Sequence, residues 1–193
     1  QRLWQIDYNV EAQRVKAAYD VTANVRLQNH TIAVTQPTAT TATIHTLRKQ
    51  HNWDVLFGRL KRGNQLLLAT DETRFQLGDL VSVVGAPEPL AQVQASLGEL
   101  KHEQLELDRS QIDYRRIFVS NPKVAGHRLR DLNLPQQLGA LVTRVRRGDI
   151  EFLPHGDTVL ELGDRIRVVT ARTRMDAVSN FFGDSYRALS EID

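Results

Sequence analysis

The chain says one thing twice. FQLGDLVSVV at 75–84 returns as LELGDRIRVV at 160–169, 85 positions further on. Sliding the sequence along itself by that interval, without gaps, aligns Leu56, Arg59, Arg62, Gly63, Leu68, Thr73, Leu77, Gly78, Asp79, Val83 and Val84 with Leu141, Arg144, Arg147, Gly148, Leu153, Thr158, Leu162, Gly163, Asp164, Val168 and Val169. A period this long exceeds a solenoid unit and matches a small domain, so the chain is two homologous domains in tandem. Units of about 80 residues alone bury only a modest fraction of their surface, which predicts that one copy packs on the other.

Strand signals are clearest in the second copy. RRIFVS (115–120) is a β-branched and aromatic run halted at Asn121-Pro122, where proline removes a ladder donor. ALVTRVR (140–146) and IEFLP (150–154) flank Arg147-Gly148-Asp149, a pattern suited to a hairpin turn. RIRVVTA (165–171) alternates arginines with Ile166 and Val168, the mark of a half-buried strand. RTRMDAVSNFFG (172–183) puts Met175, Val178 and Phe182 at helical spacing and stops at a glycine. Each copy is therefore expected to run strand, short helical or loop segment, hairpin, loop, strand, helix. The repeated Gly-Asp is expected to close a loop before the last strand, as a structural feature and not a catalytic one.

Composition narrows the function classes. With 25 Lys plus Arg against 23 Asp plus Glu, the formal charge is +2, so there is no clustered cationic excess for binding a nucleic acid polymer. Cysteine is absent, which excludes disulfides and thiolate metal sites and fits a reducing compartment. No apolar run reaches the 18 or so residues of a membrane-spanning helix, and no signal segment is visible, so a soluble fragment of a longer protein is expected. The six histidines show no metal-ligand spacing. No phosphate-binding glycine loop, nucleophile elbow or triad context is present, so neither an enzyme nor a bound cofactor is expected.

IFVSNPKVAGHRLRDLNL, followed by GALVTRVRRGD, DTVLELGDRIRVV and FFGDS, resembles the RCK C-terminal (TrkA C-terminal) domain. More specifically, the sequence resembles the tandem pair found in transporters of the aspartate:alanine antiporter/YidE/YbjL family. The resemblance covers about 25–190 and is strongest over 114–185. It implies an α+β fold made of two RCK_C-like pseudo-barrels of β-X-β-β-X-β-α order. It also implies a module on the cytoplasmic face of the bacterial inner membrane, attached to membrane-spanning parts of the same transporter. An intrachain pseudo-dimer, homo-oligomers and a small anionic or nucleotide ligand between paired copies are further implications. The units are then 1–24, a connector helix; 25–99, the first domain; 100–113, a polar linker; and 114–188, the second domain. In the first copy a threonine-rich tract, Thr38 to Thr43, replaces the loop glycine and basic residues of the second, which puts a symmetric pair of sites in doubt.

One constellation of side chains suggests chemistry. Arg144 and Arg146 share one face of their strand, Arg165 and Arg167 share one face of theirs, and Asn121, Lys123, His127 and Arg128 lie in the preceding loop. If these converge, their donors could grip a carboxylate or phosphate. The plainer alternative is the wet side of a one-sided sheet, neutralised by Glu151, Glu161 and Asp164. Two functions stay open: a ligand-sensing module that shifts a transporter's conformational equilibrium, and an oligomerisation module without ligand.

Overall fold

Period-two alternation builds an antiparallel sheet in each copy, and the duplication is visible element by element. The computed structural model describes residues 26–183. In the first copy β1 (Gln28–Val34), β2 (Val55–Arg62), β3 (Gln65–Leu68), β4 (Leu80–Gly85) and β5 (Gly98–Lys101) lie in the order β3-β2-β4-β1-β5. In the second, β6 (Ile112–Phe118), β7 (Ala140–Arg147), β8 (Ile150–Phe152) and β9 (Arg165–Ala171) lie in the order β6-β9-β7-β8, the same arrangement seen from the other edge. The element order is the one expected from the sequence.

Helices cover one face of each sheet. The first copy has α1 (Ile44–His51) and α2 (Pro87–Leu97); the second has α3 (Leu129–Leu132), α4 (Leu134–Leu138) and α5 (Met175–Phe182). Thr43 caps α1 by accepting the amide of Thr46, and Asn52 ends it in the left-handed region. On α5, Met175, Val178 and Phe182 are buried at helical spacing, and Val178 and Phe182 close the second core over Ile117, Val145, Ile166 and Val168. Leu90, Val93 and Leu97 of α2 do the same over Ile32, Val55, Val81 and Val83. Each such fully buried side chain removes apolar surface worth about 1.5–3 kcal/mol.

The repeated Gly-Asp turns out to anchor a buried ion pair. Asp79 and Asp164 are each 1% exposed. Arg62 grips Asp79 with two hydrogen bonds, of 2.9 and 2.7 Å, and Arg147 grips Asp164 with two of 2.8 Å. Each arginine also donates to a loop carbonyl, Arg74 in one copy and Val159 in the other. The pair thus ties the hairpin to the loop that leads into the last strand, once per copy.

Other details differ from the sequence expectations. The polar linker expected over 100–113 begins inside β5, whose residues pair with β1. A short turn at Leu105–Leu107 follows, with Leu105 buried; a single apolar residue seats it, too sparse a pattern to register as an element. The sheet of the second copy begins at Ile112. The connector helix expected over 1–24 lies outside the described residues. Among the described residues no helix is long and apolar enough to cross a membrane.

The two sheets meet through their helix-free faces. Leu66 of the first copy packs with Ile112 and Val169 of the second, flanked by Leu68 and Tyr114. The Gln111 side chain accepts the Leu66 amide at 3.1 Å. Arg59, Ser82 and Thr143, all under 5% exposed, lie at this contact beside Tyr114 and Arg167 and not in either core.

Candidate functional site

Two concavities flank the line where the copies meet. The first is an arginine bay on the helix-free face of the second sheet. Antiparallel register sets Arg116 of β6 opposite Arg167 of β9, and Arg167 opposite Arg144 of β7. One step along, Arg165 is opposite Arg146, and Arg146 opposite Glu151. An irregularity between Val142 and Arg144, matched by one between Phe57 and Leu60 in the first copy, sets this register. Arg116, Arg144, Arg146, Arg165 and Arg167 line a cavity of about 140 Å³ together with Glu151.

The four arginines read from strand alternation therefore converge, and Arg116 joins them. The sequence signal for it is the alternation of β6, which puts Tyr114, Arg116 and Phe118 on one face. The four loop residues do not join. The Asn121 side chain donates to the Phe181 carbonyl and accepts the Lys123 amide. Arg128 pairs with Asp131 at 2.9 Å and lies 3.9 Å from Asp157, while Lys123 and His127 are exposed. The loop is held by Gly126 and Leu129 amides donating to Leu160 and Thr158, which orients it along its own copy's edge. The expected neutralisation by Glu161 and Asp164 also fails, because both belong to Arg147. Glu151 alone reaches the bay, 3.1 Å from Arg144.

Electrostatics within the bay are strained. Burial, followed by the neighbouring Arg144, pushes the Arg167 guanidinium below the usual arginine range. Arg167 stacks 4.5 Å from the centre of the Tyr114 ring, and Arg165 4.8 Å from that of Phe118. Tyr114 also receives Arg59 of the first copy at 5.7 Å. Arg59 is 3% exposed, and its Nε and one terminal nitrogen lack a hydrogen-bond partner. Tyr114 and Arg167 thus belong both to the bay's rim and to the contact between copies.

The second concavity is a seam cavity of about 310 Å³ with walls from both copies. Its lining obeys the 85-residue shift: Ile44 faces it with Leu129, Leu56 with Leu141, Phe57 with Val142, Ala69 with Pro154, and Thr70 with His155. The cavity therefore lies on a pseudo-twofold axis. Arg48 and Arg130 balance Asp71 and Glu72 in the lining, and Arg48 already holds Asp71 at 3.2 Å. His155 reaches across the seam to 3.4 Å from Asp54. Volume and apolar walls are those of a small-molecule site, whereas the anionic selectivity expected between copies is not built into this charge-balanced lining.

The chain is similar to known proteins along part or all of its length. Residues 114–183 match the TrkA-C domain. An uncharacterized transporter of Geobacter sulfurreducens is 53% identical over all of this chain, and one of Symbiobacterium thermophilum is 44% identical over all of it. The chain spans about a third of the length of these relatives, 35% of each. Among solved structures, the RCK C domain of the potassium transport protein KtrA in complex with cyclic diadenosine monophosphate aligns with 40% of this chain and 89% of its own, at 23% identity and a TM-score of 0.34.

Proposed function

We propose, from the match of residues 114–183 to the TrkA-C domain, that this domain and its internal duplicate form the regulatory module of a membrane transporter, binding a small ligand in the seam between the copies. One observation carries the reading: a concavity of about 310 Å³ is lined in equivalent pairs from both copies. A ligand there touches both halves at once and can favour one relative setting of the two sheets over another. The apolar walls suit a flat body such as a nucleobase, and Thr70, Asn133 and His155 offer polar contacts at its edges. The module lies on the cytoplasmic face of the bacterial inner membrane, joined to membrane-spanning parts of the same polypeptide, in a transporter of the aspartate:alanine antiporter type. Names of the two relatives support the transporter context.

The test is a thermal-shift panel of nucleotides, cyclic nucleotides and amino acids on the 193-residue chain. A compound at a hundredfold excess over its Kd adds about 2.7 kcal/mol, or roughly 5–10 °C for a domain of this size. The same compound should lose its effect on Leu141→Trp, which fills the cavity. No shift from any compound, or an unchanged shift in that variant, contradicts ligand binding in the seam.

A second reading has its own observation. Leu77 and Leu162, equivalent by the duplication, are 58% and 59% exposed, and in this reading they are the residues through which protomers pair. Under this reading Leu77→Ser with Leu162→Ser lowers the sedimentation coefficient, and no compound of the panel shifts the parent's unfolding midpoint.

A further inference from the structure

The first copy provides an internal control for the arginine bay. At the positions of Arg116, Arg165 and Arg167 it carries Thr31, Leu80 and Ser82, with Arg59 and Lys61 in place of Arg144 and Arg146. The same sheet forms there, so the fold does not require the cation ladder. Directly opposite like charges on a sheet are destabilising, and Arg116, Arg167 and Arg144 form an unbroken row of three across β6, β9 and β7. Five guanidiniums share one carboxylate, and that carboxylate is held by Arg144. The Arg144 Nε is buried without a hydrogen-bond partner. Three of the remaining four forks are held in place by ring faces and a backbone carbonyl: Arg165 by Phe118, Arg167 by Tyr114, and Arg146 by Gly148. Such stacking fixes a guanidinium plane while leaving its N–H edges to other acceptors.

We infer that the bay is a binding site for phosphate groups, distinct from the seam cavity and independent of whether that cavity takes a ligand. A carboxylate offers two oxygens and is saturated by about two forks. Four arginines beyond the one that holds Glu151 call for an anion with more oxygens and more charge, which a phosphate or diphosphate supplies. At about 140 Å³ the bay suits a compact phosphate group and not a whole nucleotide. Bound anion removes the repulsion within the Arg116–Arg167–Arg144 row. It also sits against Arg167, whose other neighbour, Tyr114, touches Arg59 of the first copy, so occupancy is sensed at the contact between copies.

Inorganic pyrophosphate titrated into the 193-residue chain by calorimetry, with sodium chloride at matched ionic strength as the control, tests the site. Pyrophosphate should bind and raise the unfolding midpoint, and chloride should do neither. Arg116→Gln with Arg146→Gln, both on exposed positions, should weaken pyrophosphate binding at least about tenfold, since each charged fork contributes on the scale of a factor of ten. In anion-free buffer the same variant should unfold no earlier than the parent, because repulsion has been relieved. Lys123→Gln with His127→Gln, in the loop outside the bay, should leave pyrophosphate affinity unchanged. Vesicles of phosphatidylglycerol and phosphatidylcholine form a second arm. Vesicle binding that pyrophosphate displaces assigns the phosphate to a lipid headgroup, and pyrophosphate binding without vesicle binding assigns it to a soluble ligand. Absence of binding to both probes overturns the inference, as does equal pyrophosphate affinity in the bay variant, or a bay variant that unfolds earlier than the parent without anion.

Discussion

Replacing Arg147 by Met isolates what the repeated Gly-Asp does. In the folded chain Asp164 is 1% exposed and takes both oxygens' worth of hydrogen bonds from Arg147, plus the Glu161 amide at 2.9 Å. The substitution leaves that carboxylate buried with one amide and no cation. Breaking a fully buried pair by removing one partner costs about 3–5 kcal/mol. Here the arginine side chain is 35% exposed, so water can reach part of the site, and the cost should fall to about 2–3 kcal/mol. That corresponds to a midpoint about 5–10 °C lower in a thermal melt, and to a smaller denaturation midpoint at unchanged slope in urea. The duplication supplies a replicate, since Arg62 pairs with Asp79 in the same geometry and is 32% exposed. Arg62→Met should cost a similar amount, and Arg147→Met with Asp164→Asn should be less damaging than the sum of the single changes. A cost below about 0.5 kcal/mol for Arg147→Met, the level of an exposed ion pair, would refute the reasoning.

Other perturbations have distinct signatures. Gly98→Ala should destabilise by clearly more than about 1 kcal/mol, because the glycine has φ +153° and an added Cβ would come 2.3 Å from the Ala33 carbonyl oxygen. Gly63→Ala, at φ +58° in open space, should cost only the strain of the left-handed conformation, about 1 kcal/mol; urea melts compare the two. Tyr114→Ala should cost about 2 kcal/mol, since the ring carries Arg59, Arg109 and Arg167 as well as packing against the Leu66, Ile112 and Val169 cluster. At Asp113, burial pushes the carboxyl pKa up, but the Arg109 guanidinium and the Tyr114 amide outweigh it and hold the group below the usual carboxylate range. A depressed folded pKa gives stability that is present above the unfolded value of about 3.9 and is lost as pH falls through the folded value. The stability advantage over Asp113→Asn should therefore shrink on acidification below about pH 4.

Much of this was legible in the residues because the chain is its own alignment. The hairpins, the final helix and the sharing of a face by Arg144 with Arg146 and by Arg165 with Arg167 all follow from strand and helix periods. Arg62 and Asp79 recur together at Arg147 and Asp164, so the buried pair left a signal that periodicity does not read. The covering of the helix-free faces was not legible. Arg59 alternates like a solvent-facing residue but is buried beside Glu106 of the joining segment and Tyr114 of the other copy, and only the way one domain meets the next decides that. The loop residues Asn121, Lys123, His127 and Arg128 were drawn into the site by charge and proximity in sequence. Local backbone bonds carry the loop to its own copy's edge instead.

Ligand-dependent flux through the full-length protein, reconstituted in vesicles, tests the proposed regulatory role in transport most directly. A compound found to bind the seam should change the transport rate of the parent, and Leu141→Trp should abolish that response. Flux that ignores the bound compound, or a response that survives filling of the cavity, would contradict regulation through the contact between the two copies.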